Sequence, residues 1–175
     1  MFTKENKDRV LGVFFENPDK KYHLRELARM TKISPAGLLK IIAKLKRRGL
    51  LEIEDGKVMK QISSSRNEKF LHFKRAWNLF SVYDSGLVSF LQQKYEEPEA
   101  IVLFGSYAKG EDISTSDIDM AIVTKKSLKT DLKIFETYLK KRINLHEIKL
   151  EDVEKSFINT LANGIVVYGY LQVSK

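Results

Sequence analysis

The sequence contains no cysteine, and this absence excludes disulfides, thiolate metal sites and cysteine nucleophiles. No apolar run approaches the roughly 20 residues that a membrane-spanning helix needs. The first seven residues contain no apolar core of the kind that a signal peptide has. From these absences we expect a cytoplasmic chain with no membrane partner.

Positive charge is concentrated in the first half of the 175-residue chain. Residues 1–95 contain 20 Lys and Arg against 10 Asp and Glu, whereas residues 96–175 contain 11 against 13. The net charges of the two parts are therefore +10 and −2, which agrees with +8 for the whole chain. This asymmetry favours contact between the first half and a polyanion. A solvated Lys-rich surface is the alternative.

The first 60 residues have the pattern of three helices followed by a β-hairpin. Ser34 is placed as the N-cap of the third helix, and Gly49 lies just beyond its last turn. The Asp-Gly pair at 55–56 lies between two short strands and predicts the turn of the hairpin. From the spacing of the apolar residues, the predicted helices are 4–16, 24–30 and 35–48.

Three helices, the last of them basic on one face, and a hairpin together form a winged helix-turn-helix. The segment 22–34 also resembles winged-helix transcription regulators, and this resemblance covers roughly residues 1–65. The basic group on the third helix suits contacts with DNA phosphates, while the first turn of such a helix reads bases. The predicted contacts with double-stranded DNA are Ser34, Lys40, Lys44, Arg47, Arg48 and, in the wing, Lys57 and Lys60. Winged helices also bind proteins, so a protein-binding module is the alternative.

Residues 66–97 are predicted to connect this domain to a second one. The serine-rich segment 63–67 resembles the exit from the hairpin. Aromatic residues then repeat every three to four positions and predict an amphipathic helix, which a second helix at 85–94 follows. The repeating residues are Phe70, Phe73, Trp77 and Phe80. We interpret them as packing contacts, with a base-stacking platform as the alternative.

Residues 98–175 alternate strands and helices, which predicts a compact α/β domain. The predicted strands are 100–104, 118–123, 143–148 and 165–168. The predicted helices are 128–139 and 151–161. The fold class is therefore mixed, with an α+β N-terminal domain, connecting helices and a C-terminal α/β domain.

A glycine-serine pair follows the first of these strands, and two aspartates open the second. Gly105 and Ser106 let backbone amides and a hydroxyl approach phosphate oxygens. Ten residues separate Ser106 from Asp117, and strand alternation puts Asp117 and Asp119 on one face. Adjacent carboxylates repel each other unless a hard cation such as Mg²⁺ neutralises them. The pattern predicts a site for a metal-bound nucleoside triphosphate, and solvated aspartates beside a turn are the alternative.

Gly105, Ser106, Asp117 and Asp119 match the motif of the minimal nucleotidyltransferases of the DNA polymerase beta superfamily, which residues 98–170 resemble. The resemblance implies a nucleotidyltransferase fold with a small mixed sheet and packed helices. It implies that Gly105 and Ser106, with Lys109 nearby, bind the phosphates of an NTP such as ATP. It also implies that Asp117 and Asp119 bind Mg²⁺ or Mn²⁺. The implied reaction transfers a nucleoside monophosphate and releases pyrophosphate.

The third carboxylate of the catalytically active members falls, by this resemblance, on Asn144. Asparagine offers a carbonyl oxygen to a metal but cannot act as a base. His146, next on the same strand face, can accept a proton near neutral pH, although an ordinary strand histidine is the alternative. Glu147 has the right chemistry, but strand alternation places it on the other face. The catalytic candidates are therefore Asn144 and His146 together with Asp117 and Asp119.

Three functions fit the sequence. The first is an NTP-dependent nucleotidyltransferase that a DNA-binding winged helix directs to its target. The second is a transcription regulator whose degenerate nucleotidyltransferase domain senses a nucleotide or holds a dimer. The third is an antitoxin-like modifier whose acceptor is a partner protein. A homodimer is a further expectation, because two-fold symmetric DNA sites commonly pair with dimers.

Overall fold

The computed structural model describes residues 5–55 and 60–172. The chain divides into two compact units, 1–77 and 78–175. Within the described residues the α-helices are α1 (Asn6–Glu16), α2 (Leu24–Thr31), α3 (Pro35–Arg47), α4 (Glu68–Asp84), α5 (Leu87–Lys94), α6 (Gly105–Lys109), α7 (Lys133–Leu139) and α8 (Lys155–Ala162). The strands are β1 (Tyr22–His23), β2 (Leu51–Glu54), β3 (Gln61–Ser64), β4 (Ala100–Phe104), β5 (Ile118–Val123), β6 (Ile143–Ile148) and β7 (Ile165–Gly169). None of the described helices is long and apolar enough to cross a membrane.

The first unit consists of α1, α2, α3 and a three-stranded antiparallel sheet in the order β1-β3-β2, followed by the first part of α4. The amide of Gly37 donates a hydrogen bond to the Ser34 hydroxyl, as expected for the N-cap of α3. The sequence did not predict β1, because a two-residue strand has no periodicity of its own. The buried apolar core includes Val10, Phe14, Leu27, Leu38, Leu45 and Phe70.

The hairpin of this unit differs from the prediction. Glu54 pairs with Gln61, which is not the register that a two-residue turn at 55–56 would give. The glycine at 56 and the strand predicted from 57 to 59 lie outside the described residues. The serine-rich segment predicted as the exit from the hairpin begins inside β3, where the Ser64 hydroxyl donates to the carbonyl of Pro18. A buried hydroxyl that finds a carbonyl partner is compatible with a strand, which composition alone did not indicate.

The second unit contains a four-stranded mixed sheet in the order β6-β5-β4-β7. β5 and β6 are parallel, while β4 is antiparallel to both β5 and β7. Alternate residues point to opposite faces of this sheet. One face packs Ile101, Leu103 and Met120 against α5, and the other packs Val102 and Phe104 with Leu161 of α8. The small mixed sheet with helices packed on both faces is the arrangement that the sequence resemblance implied.

Two helices of this unit are shorter than predicted. α7 begins at Lys133 and not at 128, because the Leu128 amide donates to the Glu147 carboxylate on β6 instead of continuing a helix. The Asp131 side chain then accepts a hydrogen bond from the Lys133 amide at the true start of α7. The helix predicted at 151–161 is divided into a 3-10 turn at Leu150–Asp152 and α8, because Val153 is extended between them and packs against the core.

Candidate functional site

Three strand ends meet at one edge of the four-stranded sheet. β4 ends at Phe104, which is paired with Asp119 near the start of β5. Asp119 is paired in turn with Asn144, the second residue of the parallel strand β6. The antiparallel pairing and the parallel pairing together place Gly105, which follows Phe104 directly, beside these two polar residues.

Gly105 has a backbone φ of +74°, which L side chains adopt only at a cost. A Cβ at this position would lie 2.5 Å from Oδ2 of Asp119. The left-handed conformation therefore favours glycine, and a Cβ here would push the Asp119 carboxylate aside. Ser106 follows in the first turn of α6 and is half-buried, while Lys109 is exposed in the last turn.

Asn144 connects the two aspartates. Its Nδ2 lies 3.3 Å from Oδ2 of Asp117 and 3.1 Å from Oδ1 of Asp119. The amide therefore donates to one oxygen of each carboxylate, and it draws two like charges together. The two aspartates are half-buried and Asn144 is exposed, so solvent reaches the site. The side chains that the sequence predicted for the metal site thus lie together with Asn144, the residue on which the sequence resemblance placed the third carboxylate.

His146 lies on the same face of β6 as Asn144, two residues further along the strand, and is exposed. Its ring centroid is 5.6 Å from that of Phe104 and 5.9 Å from that of Phe157 on α8. Among the residues that the structure describes, no hydrogen bond joins His146 to Asp117 or Asp119. The contacts that position the His146 ring are with the aromatic rings of Phe104 and Phe157.

Glu147 points away from the site, as strand alternation predicts. Its Oε1 accepts a hydrogen bond from the Tyr95 hydroxyl at 2.5 Å and another from the Leu128 amide at 2.8 Å. Burial alone would raise the pKa of Glu147, but the hydrogen bonds that it accepts, that from Tyr95 first, outweigh burial and lower the pKa. Burial and the hydrogen bond to Glu147 raise the pKa of Tyr95 to about 12. Glu147 therefore has a structural role on the face of the sheet opposite the aspartates.

A buried ion pair, which sequence reasoning missed, holds the loop that leads to Asp117. Nζ of Lys141 lies 3.2 Å from Oδ2 of Asp112, and both side chains are nearly inaccessible to solvent, at 6% and 0% exposed. The same ammonium donates to the carbonyls of Ile113 at 2.6 Å and Ser116 at 3.2 Å. No sequence signal marks Lys141, because it lies in a run of three basic residues that resembles a solvated surface. This contact secures the chain immediately before Asp117.

The predicted DNA contacts of the first unit lie mainly on the outer face of α3. Ser34, Lys40, Lys44 and Arg47 are exposed, and in the described part of the chain no acidic side chain forms an ion pair with the three basic ones. Arg48 is half-buried, with its guanidinium carbon 5.7 Å from the centre of the Phe73 ring. Of the two lysines that were predicted to contact DNA from the hairpin, Lys60 is exposed and its Nζ lies 3.8 Å from Oδ1 of Asp55, whereas Lys57 lies outside the described residues.

Comparison with known proteins gives one finding on the second unit. Residues 87–171 match the polymerase beta nucleotidyltransferase family model. The matched segment is just under half of the chain, and it contains Gly105, Ser106, both aspartates and Asn144. It supports a nucleotidyltransferase domain in this part of the chain, and such domains typically use an NTP and a divalent metal. No curated protein matched the chain.

The oxygen donors at this edge of the sheet fit a hard cation. Mg²⁺ and Mn²⁺ prefer carboxylate oxygens, and Mg²⁺ is commonly bound by one or two carboxylates together with the phosphates of a substrate. Asp117 and Asp119 supply two carboxylates, and the Asn144 amide bridges them. Within residues 5–55 and 60–172 no group of three acidic or histidine side chains is placed to hold a metal ion. The site therefore offers two carboxylates and a neutral amide.

Proposed function

We propose that the second unit binds an NTP with Mg²⁺ or Mn²⁺ and transfers its nucleoside monophosphate to an acceptor, with release of pyrophosphate. The observation that carries this proposal is the convergence of Gly105, Asp119 and Asn144 at the meeting point of three strands. A phosphate-binding turn and paired carboxylates at one sheet edge suit phosphoryl transfer, because this chemistry depends on positioning and on charge neutralisation.

Each residue of the site has a role in this proposal. Gly105 and the amide and hydroxyl of Ser106 bind phosphate oxygens, and exposed Lys109 adds positive charge near them. Asp117 and Asp119 hold the cation, which when bound neutralises developing charge on the phosphoryl oxygens. His146 is the candidate proton acceptor, since a neutral imidazole has a ring nitrogen that can accept a proton.

The proposal extends to the first unit as a winged helix that binds double-stranded DNA. Its support is the exposed face of α3, which presents Lys40, Lys44 and Arg47 without acidic partners in the described part of the chain. Such a face suits phosphate contacts, which add affinity without reading the sequence. In this proposal the DNA-binding unit directs the nucleotidyltransferase to its target.

Calorimetric titration of each NTP into the full chain, with Mg²⁺ and with EDTA, tests the nucleotide site without knowledge of the acceptor. We expect binding that depends on Mg²⁺ in the wild-type chain. The double variant Asp117→Asn/Asp119→Asn should bind more weakly by at least about tenfold, or ~1.4 kcal/mol. A matched control, Asp131→Asn/Asp152→Asn, removes the same charge from exposed positions. Equal affinities in all three proteins would contradict the assigned site.

A second candidate function is favoured by Asn144 in place of a third carboxylate. An amide cannot take a proton from an acceptor, so the domain would bind NTP and Mg²⁺ without turnover. The chain would then be a DNA-binding regulator that senses a nucleotide. NTP binding without pyrophosphate release, over a range of acceptors that includes protein and nucleic acid, would favour this function over the first.

A further inference from the structure

The amide nitrogen of Asn144 contacts both carboxylates of the proposed metal site. The two distances, 3.3 Å to Asp117 and 3.1 Å to Asp119, are nearly equal. An amide group has one positive end, the NH₂, and one negative end, the carbonyl oxygen. If the amide were reversed, its oxygen would face two negatively charged oxygens at these distances. Electrostatics therefore requires the NH₂ group on this side, whichever way the amide is assigned from geometry alone.

We propose that Asn144 restricts this site to one divalent cation and clamps the two carboxylates together when no cation is bound. The inference rests on the proposed function, since it concerns the same nucleotide site. It adds the number of metal ions that the site holds together with an NTP, which is one.

The charge of the site supports one cation. Asp117 and Asp119 together carry two negative charges, which a single divalent cation neutralises. A second cation at the same edge would need further oxygen ligands from the protein, and a carboxylate is the usual one. The neighbouring acid on β6, Glu147, lies on the opposite face, where Tyr95 and Leu128 bind it. Asn144 contributes at most one neutral carbonyl oxygen.

The clamp follows from the same contacts. Without a cation, Asp117 and Asp119 repel each other across a short distance, and the NH₂ group of Asn144 offsets part of this repulsion. When a cation binds, the NH₂ group must leave the carboxylates or turn so that its oxygen faces the metal. Asn144 therefore competes with the cation, whereas an aspartate at this position would attract it.

Equilibrium dialysis with Mn²⁺ and a non-hydrolysable ATP analogue tests the inference on the full chain. The amounts of retained Mn²⁺ and retained nucleotide per protein are measured. We expect one Mn²⁺ per nucleotide in the wild type and two in Asn144→Asp. The control Asn159→Asp adds the same charge at an exposed position on α8 and should retain one.

Thermal melting adds a readout that needs no nucleotide. In EDTA, Asn144→Asp should melt on the order of 5 °C below the wild type, because three carboxylates replace the clamped pair. Added Mg²⁺ should remove this difference, and Asn159→Asp should show neither effect.

The outcomes of these experiments separate the two proposals. Two Mn²⁺ per nucleotide in the wild type, or one in Asn144→Asp, would overturn the single-cation inference while leaving a nucleotide site in place. Retention of neither metal nor nucleotide by the wild type would overturn the proposed function itself. Equal melting temperatures of Asn144→Asp and wild type in EDTA would overturn the clamp.

Discussion

Gly105 is the residue at which backbone conformation and site geometry coincide. Its φ of +74° and its closeness to Asp119 are independent constraints, since the first depends on the turn between β4 and α6 and the second on the pairing of β4 with β5. Gly86 has a similar φ of +77°, but nothing lies within 4 Å of where its Cβ would be. Comparing substitutions at the two glycines therefore distinguishes the effect of the left-handed backbone from the effect of a methyl group that contacts Asp119.

We expect Gly105→Ala to weaken binding of Mg²⁺ and ATP by at least about tenfold, because the new methyl group displaces the Asp119 carboxylate. Both Gly105→Ala and Gly86→Ala should lose about 1 kcal/mol of unfolding free energy through the left-handed backbone. Calorimetry and urea denaturation measure the two effects. If both variants bound ATP as the wild type does, the assigned contact between Gly105 and the metal site would be wrong.

The buried Lys141 ammonium predicts a second effect at the residue scale. Lys141→Met removes the cation beside Asp112 and the donor to two backbone carbonyls, so we expect a loss of about 3 kcal/mol in unfolding free energy. Lys126→Met serves as its control, because Lys126 pairs with Glu96 in solvent and should cost less than about 1 kcal/mol. Urea denaturation measures both. Equal losses of unfolding free energy in the two variants would show that the buried ion pair stabilises the protein no more than the exposed one.

At the scale of elements, β6 has two faces with different roles. One face carries Asn144 and His146 toward the site, and the other carries Glu147, which binds Tyr95 after α5 and the segment before α7. The contact of Glu147 with the Leu128 amide also explains why α7 begins later than its apolar pattern predicts. Helical periodicity reports local preference, and a tertiary hydrogen bond overrides it here.

Burial of Tyr95 and its hydrogen bond with Glu147 make stability depend on pH in a defined direction. The pKa of Tyr95 is raised to about 12 in the folded protein, so its contribution is complete below pH 10 and is lost as the pH rises toward 12. Glu147 has a lowered pKa, and its contribution is present above the usual pKa of a glutamate and is lost as the pH falls through the lowered value. Both losses lie outside the neutral range.

We expect Tyr95→Phe to lower the unfolding free energy by about 1 kcal/mol at pH 7, the usual value of a lost hydrogen bond. This difference from the wild type should shrink between pH 10 and pH 12. Some alkaline loss should remain in the variant, because burial also raises the pKa of Tyr22 to about 12. Urea midpoints at several pH values measure this. A difference that stayed constant up to pH 12 would contradict the assignment.

At the scale of the whole molecule, charge separates the chain into a basic first part and a slightly acidic second part. Lysine and arginine that neutralise DNA phosphates release counterions, so the affinity for DNA falls with salt in proportion to the number of contacts. The basic residues of α3 are exposed in the first unit, and the candidate nucleotide site, with the carboxylates of Asp117 and Asp119, lies in the second unit. The proposed polyanion and the proposed NTP therefore have separate binding surfaces.

We expect Lys44→Ala/Arg47→Ala to lower the slope of log affinity against log salt by about 2, or roughly 0.9 per contact, for double-stranded DNA. Lys69→Ala/Arg75→Ala removes the same charge from exposed positions of α4 and should leave the slope nearly unchanged. Fluorescence anisotropy with labelled DNA at several salt concentrations measures the slopes. The same slope in the wild type and in both variants would refute phosphate contacts by α3.

Much of the fold follows from local patterns in the sequence. β4, β5 and β6 lie where runs of apolar and β-branched residues predicted them, and Ser34 caps α3 as its chemistry predicts. The hairpin register differs from the one that a two-residue turn at 55–56 would give, because Glu54 pairs with Gln61. Local sequence patterns therefore predicted the positions of helices and strands better than they predicted the turns and the ends of helices.

By itself the sequence determined β4, β5 and β6, the capped helix α3 and the spacing of glycine, serine and aspartates that predicts a nucleotide site. These features depend on the conformational preferences of residues that are close in sequence, so each can be recognised within its own short segment. Only the tertiary structure decided that the amide of Asn144 joins two carboxylates more than twenty residues earlier in the chain, that Lys141 is buried, and that Glu147 faces away. These contacts arise from the pairing and packing of segments far apart in sequence, and no local pattern encodes them.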